Sequence, residues 1–268
     1  MIEIKSAKVG LIGVGNMGEA LLVALIKAGA DTSKISFAVR RPERSEELAQ
    51  RYGITPATVE EMAASSDVLM VIVKPQDVGG ILDRIAPVLN PDALLISFLA
   101  GKKIATFEAA LGDVAVARVM PNTPTLLGAG MSILSLNSKV RPDQKVYVND
   151  FLRAAGKSVE VDEPLQDAAT ATSGSGPAYF FAFVEAMVQG AIEMGISEEI
   201  ATTLVVQTIV GAAKMLDESG KSATTLRENV TSPKGVTYEG LKVFSEGDLP
   251  GLVARAMKAA ADRSRDMA

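Results

Sequence analysis

The stretch KVGLIGVGNMGEAL, at residues 8–21, decides how this chain begins to fold. Its first residues, Lys8–Ile12, form a short apolar run that predicts a buried strand. Three glycines follow at the spacing G-x-G-x-x-G, namely Gly13, Gly15 and Gly18. Apolar residues then recur with a helical period until Gly29 ends the pattern. The stretch therefore predicts a strand, a tight glycine turn and a helix.

That context makes the glycine spacing specific for a dinucleotide. Gly13 permits the tight turn, Gly15 lets the backbone approach a pyrophosphate, and Gly18 lets the helix pack closely. The helix start at Asn16 and Met17 supplies N–H donors and positive potential for phosphate. These five residues are predicted to bind the cofactor; the alternative is a purely structural turn.

Working outward, the first part of the chain alternates strands with helices. Further strands are predicted at Ile35–Val39, Val68–Val73, Leu94–Phe98, Val114–Met120 and Ser158–Val161. Thr58 with Glu61 matches a capping box, and Pro142 and Gly156 bracket another helix. Such alternation predicts an α/β N-terminal domain, a Rossmann-type, doubly wound parallel sheet.

After about Glu163 the pattern becomes helical throughout. A small-residue loop before Pro177 opens a nearly all-apolar helix, and Ser197 is a candidate cap for a second helix ending near Glu218. We therefore predict a Rossmann domain that binds NADP at residues 1–162, and an all-α C-terminal domain for dimerisation and substrate binding at residues 163–268. Helices this apolar need a partner, so a homodimer is favoured over coverage by the first domain.

Bulk composition excludes several classes of function. The 268 residues carry a net charge of −5 and contain neither Cys nor His. Disulfides, a thiolate nucleophile and a Cys-based metal site are thus excluded, and no metal is predicted. The charge gives no footprint for nucleic acid. The first residues do not resemble a signal peptide, and the uncharged stretch Ile200–Ala213 is too short to cross a membrane. A cytoplasmic protein without nucleic-acid or membrane partners is expected.

The end of the second predicted strand indicates which nicotinamide cofactor is used. A site for NAD usually places an acid there against the ribose 2′-hydroxyl. This chain instead has Arg40 and Arg41, followed by Arg44. Guanidinium groups suit a 2′-phosphate, so NADPH is favoured and NADH is not excluded. The alternative is a solvated basic turn.

Two further loops follow predicted strands, at the sheet edge where ligands bind in such folds. One is the turn Val73-Lys74-Pro75, and the other contains Ala100 and Gly101. We expect both to contact the nicotinamide and its ribose through the backbone. The alternative is that they are only turns that end strands.

The lack of His bears on the reaction. A dehydrogenase acting on a ketone or alcohol must move a proton with the hydride, which is commonly the task of His. An imine can arrive already protonated, so that hydride transfer needs mainly positioning in a dry pocket. This favours an imine substrate without proving it, since Lys74 or Tyr179 remains available as an acid.

The segment NVTSPKGVT at residues 229–237 offers the groups that such a substrate requires. It is a hydroxyl-rich turn that opens a helix, with N–H groups at Gly235, Val236 and Thr237 expected to be free for a carboxylate. Thr237 adds a hydroxyl that is expected to lie near the nitrogen of such an imine. An ordinary helix cap is the alternative reading.

Taken together, these motifs resemble the pyrroline-5-carboxylate reductase family over essentially the whole chain. The matching pieces are GVGNMGEAL, VKP, SFLAG, RVMPNTP at residues 118–124, SGSGPAYFF at residues 173–181 and NVTSPKGVTYEGL at residues 229–241. The resemblance implies NAD(P)H-dependent reduction of Δ1-pyrroline-5-carboxylate to L-proline. It also implies a homodimer, with further assembly into a decamer.

The resemblance also assigns roles to residues. It implies that the substrate is held by Ser232, Gly235, Val236 and Thr237, with Thr237 nearest the substrate nitrogen. It also implies that the pocket lies between the first domain of one subunit and the helical domain of the partner subunit. It further implies that Met120 and Asn122 border the nicotinamide.

Two departures from the family pattern stand out. Lys234 replaces a glycine found in many members, and the Asn expected near Thr58 is missing.

Two other functions stay open on the sequence. One is a β-hydroxyacid-type NADP dehydrogenase, which usually relies on a helical Lys that we do not find here. The other is a non-catalytic NADPH-binding protein, which the substrate-like turn at residues 229–237 argues against.

Overall fold

A computed structural model describes residues 1–267. The chain forms two compact units, one of Met1–Ser175 together with the end of the chain from Ala260, the other of Gly176–Ala259. The division into domains at residues 162 and 163 remains a prediction, and the compact units have different bounds. Residues 163–175 group with the first unit because Gln166, fully buried, hydrogen-bonds to Ser135 and to the carbonyl of Arg118.

The first unit is built on one sheet whose order is β3-β2-β1-β4-β5-β6-β7-β8. Its strands are β1 Val9–Ile12, β2 Ile35–Ala38, β3 Thr55–Pro56, β4 Val68–Val71, β5 Leu94–Ser97, β6 Ala115–Pro121, β7 Gly130–Leu136 and β8 Gly156–Glu160. Strands β1 to β6 pair in parallel, and the chain order reverses on either side of β1. This confirms the Rossmann-type sheet, whose reversal point lies between β1 and β4.

Helices cover both faces of this sheet. They are α1 Asn16–Lys27, α2 Pro42–Tyr52, α3 Val59–Ser65, α4 Val78–Ile85, α5 Ile104–Leu111, α6 Pro142–Ala155 and the short α7 Gln166–Ala169. Every residue of β1, β4 and β5 is buried, as their largely apolar sequences require, and Ser97 at the end of β5 is the polar residue among them. The capping box of Thr58 and Glu61 forms as predicted and starts α3.

The sheet also contains two strands that the sequence did not predict. β3 is only two residues long, and β7 runs antiparallel to β6, so the sheet is parallel only in its larger part. β7 carries Ser132 and Ser135, both about 1% exposed. The hydroxyl of Ser135 donates to the carbonyl of Val161 at 2.7 Å, which satisfies a polar group that interrupts the apolar run.

The second unit is helical, as predicted. Its helices are α8 Gly176–Glu193, α9 Glu198–Glu218, α10 Ala223–Asn229, α11 Val236–Glu246 and α12 Leu249–Asp266, the last of which ends in the first unit. α10 was not predicted. The small-residue loop expected before Pro177 was wrong in part, since Thr170–Gly174 is a π-helical turn. Ser197 does precede α9, but its side chain makes no capping hydrogen bond.

The long helices α8 and α9 leave large apolar side chains exposed. Phe180 and Phe181 on α8 are each 62% exposed, and Leu204 and Val210 on α9 are 53% and 54% exposed. Within residues 1–267, α9 is one helix with the length and apolar composition to cross a membrane, with a mean hydropathy of 1.3. The uncharged stretch judged too short from the sequence thus lies within a helix of 21 residues.

Candidate active site

A groove lies at the carboxyl ends of β1, β2 and β4 in the first unit, with a volume of about 700 Å³. It brings together six of the residues predicted to bind the cofactor, from three separate segments: Gly13, Gly15, Arg40, Arg41, Val73 and Lys74. The reversal point of a doubly wound sheet is where a ligand binds in this architecture. The groove is therefore the candidate cofactor site.

The glycine turn has the geometry that a dinucleotide needs. Gly13 has φ +92°, and a Cβ there would lie 2.8 Å from the carbonyl oxygen of Ile72. A Cβ on Gly18 would lie 2.6 Å from the carbonyl oxygen of Gly13. Around Gly15, by contrast, a Cβ would meet nothing within 4 Å, so the space beside its backbone is open to a ligand. Two glycines are thus required by packing, and the third leaves room for a phosphate.

Arg40 and Arg41 lie at the edge of the groove, just after β2. Arg40 is 78% exposed, and its guanidinium forms an ion pair with Asp77 at 2.6 Å. Arg41 precedes α2 as its N-cap residue, and its carbonyl accepts a hydrogen bond from Ser45. Both guanidinium groups can reach solvent, as an arginine that receives a 2′-phosphate must.

Arg44 also lines the groove, but its side chain is held by the protein itself. Its guanidinium pairs with Glu19 and with Glu47, the latter at 2.8 Å, and contacts the carbonyl oxygen of Val14 in the glycine turn at 3.5 Å. Only 16% of the side chain is exposed. Arg44 therefore braces α2 against the glycine turn, a role that the sequence did not reveal because Glu19 lies 25 residues away.

Glu19 is the centre of this network. Burial by itself would raise the pKa of Glu19, but hydrogen bonds from Tyr52 and Arg44, with the charges of Arg44 and Arg51, lower it below its ordinary value. The hydroxyl of Tyr52 donates to Glu19 at 2.6 Å. A carboxylate in the first turn of α1 would repel a bound pyrophosphate, and these partners neutralise it.

The remaining wall of the groove is largely apolar, with Val59, Gly80 and Ile81 on one side. At this end Arg84 donates to both carboxylate oxygens of Glu60, at 2.7 and 2.9 Å. An apolar wall beside a cleft of this size suits a flat aromatic base.

Other residues predicted to border the nicotinamide lie in the same unit but do not line this groove. Ala100 and Gly101 form the turn after β5, where Gly101 has φ +74° and a Cβ would lie 2.9 Å from the backbone of Met267. The N–H of Ile104 beyond this turn donates to Glu163 at 2.7 Å. Glu163 also pairs with the buried Arg118 at 3.1 Å, so the turn is anchored to β6.

Asn122 follows β6, and Met120 lies within it. The side chain of Asn122 is already in use, since its amide donates to the carbonyl of Ser173 at 3.0 Å and its oxygen accepts from the N–H of Met131 at 2.8 Å. These two hydrogen bonds fix the orientation of the Asn122 side chain at the end of β6.

In the second unit, the turn of residues 232–237 opens α11 as predicted. The expectation that Gly235 has a free N–H was wrong, because that N–H donates to the carbonyl of Ser232 at 3.0 Å. A Cβ on Gly235 would lie 2.3 Å from the hydroxyl of Ser232 and 3.0 Å from its carbonyl oxygen, so a larger residue here would make Ser232 shift. Val236 and Thr237 occupy the first turn of α11, and their N–H groups find no backbone acceptor within residues 1–267.

Lys234 adopts φ +58° in this turn. A residue with a Cβ adopts this left-handed conformation only with strain, whereas glycine adopts it freely. The backbone at this position therefore favours glycine. Val236 is 95% exposed, and Thr237 is exposed beside it. In one chain, two N–H groups, the hydroxyls of Ser232 and Thr237 and the ammonium group of Lys234 are thus available to an anionic ligand.

Comparisons with known proteins cover nearly the whole chain. A family model described as pyrroline-5-carboxylate reductase dimerisation matches residues 163–267, and one described as NADP oxidoreductase, coenzyme F420-dependent, matches residues 8–101. A pyrroline-5-carboxylate reductase from Corynebacterium melassecola is 38% identical over 264 residues, covering 97% of this chain and 98% of that protein.

Two solved structures extend the likeness to the fold. Pyrroline carboxylate reductase from Plasmodium falciparum, with NADP bound, is 31% identical with a TM-score of 0.87 and covers 99% of each chain. A pyrroline-5-carboxylate reductase from Coxiella burnetii is 32% identical with a TM-score of 0.93, covering 98% of this chain and 99% of that one.

Proposed function

The chain belongs to the pyrroline-5-carboxylate reductase family, and we infer that it reduces Δ1-pyrroline-5-carboxylate to L-proline with NADPH. The observation that carries this conclusion is the likeness to such enzymes over 97% of the chain, joined to a groove that fits a dinucleotide. The two other functions that the sequence left open gain no support from these findings. The direct test is oxidation of NADPH, followed by its absorbance, on addition of this cyclic imine.

NADP is the cofactor, and we propose that Arg40 and Arg41 bind its 2′-phosphate. Both guanidinium groups lie at the groove where β2 ends, and a planar guanidinium pairs well with phosphate oxygens. The glycine turn and the start of α1 are proposed to hold the pyrophosphate, through Gly13, Gly15, Asn16, Met17 and Gly18. NADH lacks the phosphate and is expected to bind more weakly.

For the nicotinamide half, we propose contacts from Val73, Lys74 and Pro75 after β4 and from Ala100 and Gly101 after β5. Met120 and Asn122 complete this proposed set. The side-chain amide of Asn122 is held by Ser173 and Met131 and keeps one N–H for a further contact.

For the substrate, we propose that Ser232, Gly235, Val236 and Thr237 bind the carboxylate and ring. The N–H groups of Val236 and Thr237 point from the first turn of α11, where a helix favours an anion. The hydroxyl of Thr237 is proposed to hydrogen-bond to the ring nitrogen and is the one catalytic residue we assign. When bound, NADPH supplies the hydride, and the imine carbon receives it.

This chemistry asks little acid–base work of the protein. A protonated imine becomes a neutral amine once it has accepted hydride, so the protein need not deliver a proton in that step. Its tasks are to hold the ring and to exclude water. A chain without His is adequate for such a task.

We propose that the protein is a homodimer in which the apolar faces of α8 and α9 are covered by a second copy. Support comes from the large apolar side chains that one chain leaves exposed on both helices. The resemblance extends the proposal to assembly of dimers into a decamer. Light scattering during size-exclusion chromatography measures the mass directly, and a monomer would contradict the proposal.

A cytoplasmic location without a membrane or nucleic-acid partner is also proposed. The length and apolar character of α9 are explained on this view by contact with another copy and not by lipid. Fractionation in the absence of detergent tests it, because a membrane protein would sediment with the vesicles. Recovery in the membrane fraction would overturn the location and the role of α9 together.

A further inference from the structure

We propose that Asp77 determines how strongly the enzyme prefers NADPH over NADH, because its carboxylate competes with the 2′-phosphate for Arg40. The inference rests on the proposed function, in which Arg40 receives that phosphate. It adds a residue that lies outside the basic end of β2. Arg40 strengthens the binding of NADPH, whereas Asp77 weakens it.

The geometry places Asp77 across the cofactor groove from Arg40. Arg40 follows β2, whereas Asp77 ends the single helical turn Pro75–Asp77 that follows β4. β1 lies between these two strands, so the ion pair of 2.6 Å spans the end of β1 near the glycine turn. Both residues line the groove. A cofactor held in this groove would meet the pair directly.

The charges of the groove single out this pair. Arg44 is bound to Glu19 and Glu47 with its side chain only 16% exposed, so it is not free to move to a ligand. Arg40 is 78% exposed and its partner Asp77 is 26% exposed, so the guanidinium can turn from the carboxylate to a phosphate. Arg41 has no ion pair among the described residues. The cost of recruiting Arg40 is therefore set by Asp77.

Asp77 acts differently on the two cofactors. A phosphate monoester carries between one and two negative charges near neutral pH, so a carboxylate beside it repels it as well as competing for Arg40. The 2′-hydroxyl of NADH is neutral and can donate a hydrogen bond to a carboxylate, which is how acidic residues select NAD in related folds. Asp77 thus disfavours NADPH and does not disfavour NADH.

The experiment compares Asp77→Asn with the parent enzyme by titrating each with NADPH and with NADH and following cofactor fluorescence. We expect the Kd for NADPH to fall roughly two- to fivefold, the range of an exposed ion pair, while the Kd for NADH does not fall. Raising the salt concentration should shrink the effect on NADPH, since both the pair and the repulsion are screened. Asp77→Ser serves as a second variant, and thermal unfolding checks that both are folded.

Glu60→Gln is the matched control. It removes one negative charge from the ion pair of Glu60 with Arg84, a residue that lines the same groove, without touching Arg40. We expect its ratio of the two dissociation constants to equal that of the parent. In an Arg40→Ala background, Asp77→Asn should change NADPH affinity much less than it does when Arg40 is present.

Three results would overturn the inference: no change in NADPH affinity on Asp77→Asn, an equal gain from Glu60→Gln, or a gain that persists in full without Arg40. The last two results would mean that Asp77 acts only through the overall charge of the groove and not through Arg40. Failure of the proposed function is a separate outcome, because the titrations need no substrate. It would be recorded as absence of pyrroline-5-carboxylate reduction by the parent enzyme with either cofactor.

Discussion

Two turns of this molecule open a helix and are assigned to an anion, and they are built very differently. The turn of residues 13–18 is enclosed, since a Cβ on Gly13 or Gly18 would approach a backbone oxygen within 3 Å. The turn of residues 232–237 lies exposed in the second unit, and its tight contact is internal, between Gly235 and Ser232. The two turns share a chemistry of backbone N–H donors and differ in what surrounds them.

That difference teaches where a substitution acts. In the enclosed turn Gly13 and Gly18 are packed against backbone oxygens, so a substitution at either glycine changes fold and binding together. In the exposed turn the fold depends on few contacts, so binding can change while stability is kept.

Gly18→Ala should abolish useful cofactor binding. The new Cβ would meet the carbonyl oxygen of Gly13 at 2.6 Å, so the phosphate-binding backbone has to shift, and a misplacement near 1 Å lowers a reaction rate roughly a hundredfold. Stability should fall as well, by about 1–3 kcal/mol for an overpacked site. NADPH titration and thermal unfolding measure the two effects.

Gly15→Ala is the control within the same turn. Its Cβ would meet nothing within 4 Å, so the melting temperature should stay near that of the parent while NADPH affinity falls. If both variants lost stability equally, the distinction between a packed glycine and a ligand-facing glycine would be wrong.

Thr237→Ala should lower kcat/KM for pyrroline-5-carboxylate roughly 10- to 150-fold, the value of one hydrogen bond to a charged group. The melting temperature and the Kd for NADPH should remain close to parent values, because the side chain is exposed and lies in the other unit. Thr237→Ser, which keeps the hydroxyl, is the control and should retain most of the activity. Unchanged turnover in the alanine variant would remove Thr237 from the reaction.

Arg40→Asp combined with Arg41→Ser should weaken NADPH about tenfold more than NADH, because charge-assisted bonds to the phosphate are lost. The matched control is Lys27→Asp with Lys34→Ser, which makes the same change of charge at exposed positions that do not line the groove. Steady-state KM values for both cofactors provide the measurement. An identical cofactor ratio in the variant and the parent would refute the phosphate role.

Lys234→Gly should have the smallest effect, and it should change stability and substrate binding in opposite directions. Relief of the left-handed strain at φ +58° should raise the free energy of unfolding by about 1 kcal/mol. Loss of the charge beside the proposed carboxylate site should raise the KM for substrate roughly two- to fivefold. Lys234→Ala separates the two, since it removes the charge and keeps the strain.

The chain pattern predicted the parts of the fold whose signals are local. The glycine turn, the strands with continuous apolar sequence and the capping box of α3 were confirmed. β7 was missed because Ser132 and Ser135 interrupt its apolar run, and the hydroxyl of Ser135 is satisfied only by a carbonyl distant in sequence, that of Val161. α10 was missed because its seven residues carry little apolar periodicity.

The same distinction applies to the candidate site. Arg40, Arg41 and the glycines could be identified from their places after strands, because the carboxyl ends of parallel strands meet at one edge. The bracing of Arg44 by Glu19 and the pairing of Arg40 with Asp77 could not, since each joins residues at least 25 positions apart. The hydrogen bond from the N–H of Gly235 to Ser232 could not be predicted either. It forms only because Lys234 adopts a positive φ in the folded turn.

The amino-acid sequence by itself determined that this chain has a dinucleotide turn, a basic strand end and a hydroxyl-rich turn before a late helix. Those features lie in short segments whose conformation depends mainly on residues that are neighbours in the sequence. Only the tertiary structure decided which arginine is free to meet a phosphate and which is held, because ion pairing depends on distances between segments. Sequence spacing does not contain those distances; they follow from the order of the strands.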